Sequence, residues 1–182
     1  QLEEHLTKKE KLSDLSSQKN EETIKDISKK IIKLGGKPNL DNKNQKNLIK
    51  DLNKQFENLS VKNILADKSK NIIKDEEING IKVRLQKVTD LPSKDLRKLV
   101  DEGKKEMTEG IVIIFAVKDD KIGLAVGVTE KLTKKYDAVK FVKIGSEIVG
   151  GKGGGGRPDF AQAGGVEVNK IDEAFEKLKS LI

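Results

Sequence analysis

Along the first third of the chain, apolar residues recur at steps of about three and four: Leu2, Leu6, Leu12 and Leu15, then Ile24, Ile27, Ile31 and Leu34. That spacing predicts a long helix with a thin apolar stripe. Gly35-Gly36-Lys37-Pro38 follows, a run that ends helices and makes turns. A second stripe places Leu48, Leu52, Phe56 and Leu59 on one face. Two antiparallel helices joined by the turn are the simplest arrangement. Such narrow stripes cover little surface, so the helices are expected to pack on each other, on a second copy, or on a further part of the protein. The pattern is not a regular heptad.

From about Asn71 the pattern changes. Ile81, Val83 and Leu85 alternate with polar residues after Asn79-Gly80, which predicts a half-buried strand entered through a turn. Pro92 fits the first turn of a helix whose Leu96, Leu99 and Val100 share a face. Ile111 to Val117 and Ile122 to Val128 are continuous apolar runs separated by a polar turn over 118–121, and they predict two central strands in a hairpin. Helices are expected from Ala138 to Val149 and from Ile171 to Leu181. Strands and helices therefore interleave. The expected architecture is an α/β (α+β) chain: a helical hairpin over residues 1–70, serving as linker or dimerisation region, and a small mixed-sheet domain with packed helices over 71–182.

Charge narrows the partner. The 182 residues carry 37 Lys and Arg against 30 Asp and Glu, a net +7, and charged residues make up 37%. A basic balance favours a polyanion, whose counterions are released on binding. AT-rich coding bias toward Lys, Asn and Ile explains any single lysine equally well. The chain has no Cys and a single histidine, His5, in the charged helical start. Disulfides, thiolate nucleophiles and Ser-His-Asp or Cys-His sets are thereby excluded, and a structural zinc site has no ligand set. Glu76-Glu77, Asp101-Glu102 and Asp119-Asp120 fall in expected turns or helix ends and read as solvated groups. No stretch reaches the roughly 20 apolar residues of a membrane helix and no signal peptide is visible, so a cytoplasmic location is expected. The first residue is Gln1, which suggests a segment of a longer protein.

The most informative stretch runs from Gly150 to Gly165: six glycines broken only by Lys152, then Arg157-Pro158-Asp159-Phe160-Ala161-Gln162-Ala163-Gly164-Gly165. Glycines let backbone N–H groups come close to a phosphate or base, while Lys152 and Arg157 add a point charge and a planar fork of donors. A flexible linker is the plain alternative. The placement between two expected helices, with rigid Pro158 and apolar Phe160, favours an ordered binding loop over 150–165. It is not a Walker loop, because Gly153 follows Lys152, and it follows a helix where a dinucleotide fingerprint follows a strand.

This segment closely resembles the glycine-rich signature near the C-terminus of alanyl-tRNA synthetases, and the strand–helix pattern over 71–182 is similar to that family's C-terminal globular subdomain. Over 1–70 only length and helicity match. The resemblance implies a non-catalytic segment that grips the outer corner of tRNA, links aminoacylation with editing, contacts the remainder of the parent synthetase, and often aids homodimerisation. It implies no cofactor in this segment, whereas the parent uses ATP with magnesium and zinc. Carried over residue by residue, it places Lys152, Gly153, Gly154, Gly155, Gly156, Arg157, Asp159, Gln162, Gly164 and Gly165 at or beneath the RNA surface. Asp159 has two roles open to it, RNA contact or holding Arg157 or capping a turn.

Two rival functions remain. A DHH-type phosphoesterase has a related C-terminal lobe that binds nucleotide substrates, but its loop usually carries His where this one reads Arg157-Pro158-Asp159, and its Asp/His metal lobe is not in this sequence. A helical dimerisation module would leave the glycine segment unexplained. With five Phe and one Tyr, recognition is expected through backbone shape and phosphates, with Arg157 or Phe160 meeting one exposed base pair.

Overall fold

A computed structural model describes residues 2–182, with side chains from Glu4 onward. Gln1 and the side chain of Leu2 lie outside the described residues. The chain divides into two compact units, one ending at Asn63 and the other running from Ile64 to Ile182.

In the first unit, α1 (Leu2–Lys33) is followed by α2 (Gln45–Ala66). Ile27 and Ile31 of α1 meet Leu48 and Leu52 of α2, with Ile24, Ile49, Phe56 and Leu59 half-buried around them. Helix α1 ends at the expected glycines: Gly35 sits at φ +83°, its N–H reaches the Ile32 carbonyl at 2.9 Å, and the Gly36 N–H reaches Ile31 at 3.0 Å. This pair of bonds closes a helix around a left-handed residue that glycine adopts without steric cost. The connection is longer than the turn expected at 35–38, because residues 34–44 form a polar bridge. The Asn39, Asn42 and Asn44 side-chain oxygens accept backbone N–H groups of Asp41, Asn44 and Asn47 at 2.9–3.1 Å, the last of these capping α2. Leu6, Leu12 and Leu15 do not join this core; they stand 54%, 61% and 63% exposed.

The second unit is built on one six-stranded sheet, ordered β1-β2-β3-β4-β6-β5. Its strands are β1 (Asn71–Ile78), β2 (Ile81–Thr89), β3 (Ile111–Lys118), β4 (Lys121–Val128), β5 (Gly154–Arg157) and β6 (Phe160–Gly165). Only β2 and β3 run parallel; every other neighbouring pair is antiparallel. The helices are α3 (Leu96–Met107), α4 (Ala138–Ile148) and α5 (Ile171–Lys179). Pro92 precedes a 3-10 turn, Ser93–Asp95, that leads into α3.

Alternation along the strands sorts the layers. Ile111, Ile113, Phe115, Leu124 and Val126 join α4 and α5 in one buried cluster, where Phe115 and Phe175 meet edge to face at 4.9 Å. The opposite face belongs to α3, which lies against β3 and β4. There Gly123 and Gly127 lie directly beneath it: a Cβ on Gly127 would collide with Val100, and one on Gly123 would meet Leu96 at 2.9 Å.

Strand β1 is absent from the sequence-based expectation. Its core, Lys74-Asp75-Glu76-Glu77, is polar because β1 is an edge strand whose charges discourage pairing with a second chain. Arg84 on β2 grips Asp75 with two bonds at 2.8 and 3.0 Å and Glu106 of α3 at 2.6 Å. The Arg84 bonds hold the Asp75 carboxyl below its ordinary range.

Candidate RNA-binding surface

The expected ordered loop over 150–165 is a β-hairpin instead. Gly154 to Arg157 form β5, Pro158-Asp159 the turn, and Phe160 to Gly165 form β6, which pairs with β4. A run of glycines has low strand propensity. The hairpin exists because it completes a sheet edge that α4 backs on one side, a tertiary cause invisible to local pattern.

Three sets of bonds fix the hairpin. Buried Ser146 of α4 donates its Oγ proton to the Gly164 carbonyl at 2.6 Å and accepts the Gly153 N–H at 3.2 Å. The Gly151 N–H reaches the Ser146 carbonyl at 2.7 Å. At the tip, the Pro158 carbonyl accepts the first N–H of α4, from Ala138 at 3.0 Å, and the Asp159 carbonyl accepts Val128 N–H at 2.9 Å and Lys104 Nζ at 3.1 Å. Every end of the segment is therefore held, the opposite of a linker.

The glycines divide by what a side chain would meet. A Cβ on Gly151 would collide with the Gly164 carbonyl and Ser146 Oγ, on Gly154 with the Gln162 carbonyl, on Gly156 with the Phe160 carbonyl, and on Gly165 with Val149. Gly150 and Gly153 carry φ of +73° and +91°, where other residues are strained. Gly164 has only the Ile122 carbonyl nearby, at 3.4 Å. Gly155 differs from all of these, since a Cβ there would meet nothing within 4 Å and its φ is not in the left-handed range. The fold does not require glycine at 155.

Register shows what surrounds Gly155. It pairs with Gln162, as Arg157 pairs with Phe160, and Gln162 and Phe160 in turn pair with Ala125 and Gly127. All four therefore lie on the α3 side of the sheet. On this side Gly155 and Arg157 are exposed, and Phe160, Gln162 and Gly164 are half-buried. Lys152 is exposed as well. As an edge strand, β5 also turns alternate backbone N–H and C=O groups toward solvent. The result is a nearly bare backbone shelf carrying cations.

Helix α3 supplies two groups that the sequence-based reading missed. Arg97 lies over the Phe160 ring, 5.2 Å from its centroid, and Lys104 reaches the hairpin tip. The signal was present: Leu96, Leu99 and Val100 turn into the core, so 97 and 104 share a neighbouring stripe. The pairing of that stripe with the hairpin was not visible. Asp159 does hold Arg157, at 3.4 Å, and its other oxygen lies 3.9 Å from Lys104 Nζ. Both separations are long and partly exposed, so they contribute little to stability. Asp159→Asn is expected to leave folding unchanged while freeing two cations from a shared carboxylate, so that a polyanion such as RNA meets this face about two- to fivefold more tightly at low salt if the face is its binding site. A filter-binding titration checks this; weaker binding would instead mark the carboxylate as an acceptor for RNA donors.

Among the described residues, no group of His, Cys, Asp and Glu is arranged to hold a metal ion, and no helix is long and apolar enough to cross a membrane.

The second unit is thus an α+β domain with a mixed sheet, closed at one edge by a glycine hairpin that carries cations on one face. The DHHA1 domain model matches residues 80–182, and the chain belongs to that family. It is similar to the C-Ala domain of Aquifex aeolicus alanyl-tRNA synthetase, with 30% identity and a TM-score of 0.56 over 59% of this chain and 96% of that one. Among curated relatives, the alanine–tRNA ligase of Parvibaculum lavamentivorans is 47% identical over 108 residues, 59% of this chain and 12% of the relative. That of Fusobacterium nucleatum is 43% identical over 146 residues, 79% of this chain and 17% of the relative. The chain thus spans less than a fifth of the length of these relatives, and the similarity is to the C-terminal domain of alanine–tRNA ligases.

Proposed function

We propose that this chain is the tRNA-gripping C-terminal segment of an alanine–tRNA ligase. Its glycine hairpin binds the outer corner of tRNA and keeps one tRNA bound while aminoacylation and editing act on it. The catalysis, with its ATP, magnesium and zinc, belongs to the remainder of the synthetase. Residues 71–182 carry the RNA contacts, and residues 1–70 serve as a linker that aids self-association, for which the exposed Leu6, Leu12 and Leu15 provide apolar surface.

The observation that carries the reading is Gly155. A glycine that the fold does not require, on an exposed strand beside Arg157 and Lys152, is explained by a partner whose surface approaches the backbone closely. Glycine leaves room for a ribose or phosphate, the arginine fork suits phosphate oxygens, and the net charge of +7 draws a polyanion toward it. Gly153, Gly154, Gly156 and Gly165 shape the shelf from beneath, while Gly164 lies on the RNA side with Lys152, Arg157 and Gln162.

The test is a salt-dependent titration of the chain with whole tRNA, with an acceptor-stem hairpin lacking the outer corner, and with a mononucleotide. Whole tRNA is expected to bind and the other two are not. Arg157→Ala is expected to weaken tRNA binding about three- to tenfold and to lower the slope of log affinity against log salt by about one. Equal binding of tRNA and hairpin would replace this reading with unspecific lysine attraction, and tight mononucleotide binding would favour a nucleotide-binding lobe.

A further inference from the structure

The distribution of arginine points beyond the hairpin. Lysine supplies nearly all of the positive charge in this chain, and its arginines are Arg84, Arg97 and Arg157. Arg84 is consumed by structure, forked between Asp75 and Glu106 and largely buried. The other two flank the same face of the same hairpin. Arg157 stands on β5, and Arg97 reaches across from α3 to lie over the ring of Phe160. No carboxylate among the described residues pairs with Arg97, so its donors are unspent, and the residue is exposed.

Arginine and lysine differ in ways that matter here. An ammonium serves as well as a guanidinium wherever a point charge suffices, whereas only the guanidinium has a flat face that stacks on a ring or a base. Phe160 is held by the pairing of β6 with β4, so its ring gives the Arg97 guanidinium a fixed seat, 5.2 Å from the ring centroid. We propose that Arg97, seated on Phe160, is an RNA-contact residue whose outer face stacks against a base of the bound RNA, extending the binding surface from the hairpin onto α3. The ring supports the arginine, and the arginine meets the base. Phe160 thus becomes a positioning residue, and the expected contact between Phe160 and an exposed base pair passes to Arg97. This inference rests on the proposed tRNA-binding role of the hairpin.

The experiment compares Arg97→Ala, Arg97→Lys and Phe160→Leu in the full chain, with whole tRNA as ligand, across a salt series. Arg97→Ala is expected to weaken binding about tenfold, the size of one lost stacking contact. Arg97→Lys keeps the charge, so its salt slope stays at the wild-type value, yet its affinity is expected to fall at least about fivefold because the flat surface is gone. Phe160→Leu keeps an apolar plug without a ring, and combined with Arg97→Ala it is expected to add little to the loss from either alone. The near-ultraviolet signal of Tyr136 confirms that each variant is folded. Wild-type affinity in Arg97→Ala, or in Arg97→Lys, overturns the stacking role while Arg157→Ala still weakens binding. Wild-type affinity in Arg157→Ala as well takes down the hairpin reading itself.

Discussion

Gly151→Ala is expected to destabilise the second unit by about 3 kcal/mol and to abolish tRNA binding at physiological salt. The added methyl would lie against the Gly164 carbonyl and Ser146 Oγ, two atoms already joined by a 2.6 Å hydrogen bond. Ser146 is fully buried, and the same Oγ accepts the Gly153 N–H at 3.2 Å. The side chain has no room to retreat, so either the two hydrogen bonds break inside the protein or the hairpin shifts away from α4. Overpacking of this kind costs roughly 1–3 kcal/mol, and a buried donor or acceptor left without a partner adds about 1–3 more. The change is measurable without interference from the helical unit. The chain has one Tyr and no Trp, and Tyr136 is 7% exposed in the core shared by α4 and α5. Urea unfolding followed by tyrosine signal therefore reports on the second unit. A variant as stable as wild type would show that the segment is held more loosely than its bonds indicate.

The elements readable from sequence were those whose burial leaves a local trace. The two apolar runs at 111–117 and 122–128 became β3 and β4, and the stripe Leu96, Leu99, Val100 became the buried side of α3. The stop at Gly35-Gly36 was readable because a left-handed residue after a helix favours glycine. What local pattern could not show was pairing at the sheet edges. Strand β1 is polar because its edge must not recruit a neighbour, and β5 has glycine at 154 and 156 because a side chain at either would strike the β6 backbone; both reasons arise from the assembled sheet. The candidate site divides in the same way. The hairpin residues were visible as a motif, and of the roles left open to Asp159, the structure has it 3.4 Å from Arg157 Nε. Arg97 and Lys104 belong to the site only because α3 lies on β4 next to the hairpin, a consequence of two glycines, Gly123 and Gly127, that allow the close approach.

Gly155→Ala separates folding from function. Stability is expected to stay at or slightly above the wild-type value, because a Cβ at 155 meets nothing within 4 Å and its φ lies outside the left-handed range, while alanine loses less conformational freedom than glycine on joining a strand. Binding to tRNA is expected to fall about tenfold or more, since a methyl placed where two surfaces touch must push the RNA back or crowd it, at about 1–3 kcal/mol. The salt slope should change little, because no charge is removed. This distinguishes Gly155→Ala from Arg157→Ala, in which affinity and slope drop together. The contrast with Gly151→Ala is equally informative. Both add one methyl to the same glycine run, yet the first loses binding with the fold intact and the second loses binding through the fold. Unchanged tRNA affinity in Gly155→Ala would remove the main support for close approach at β5 and would shift the contact to the arginines and lysines alone.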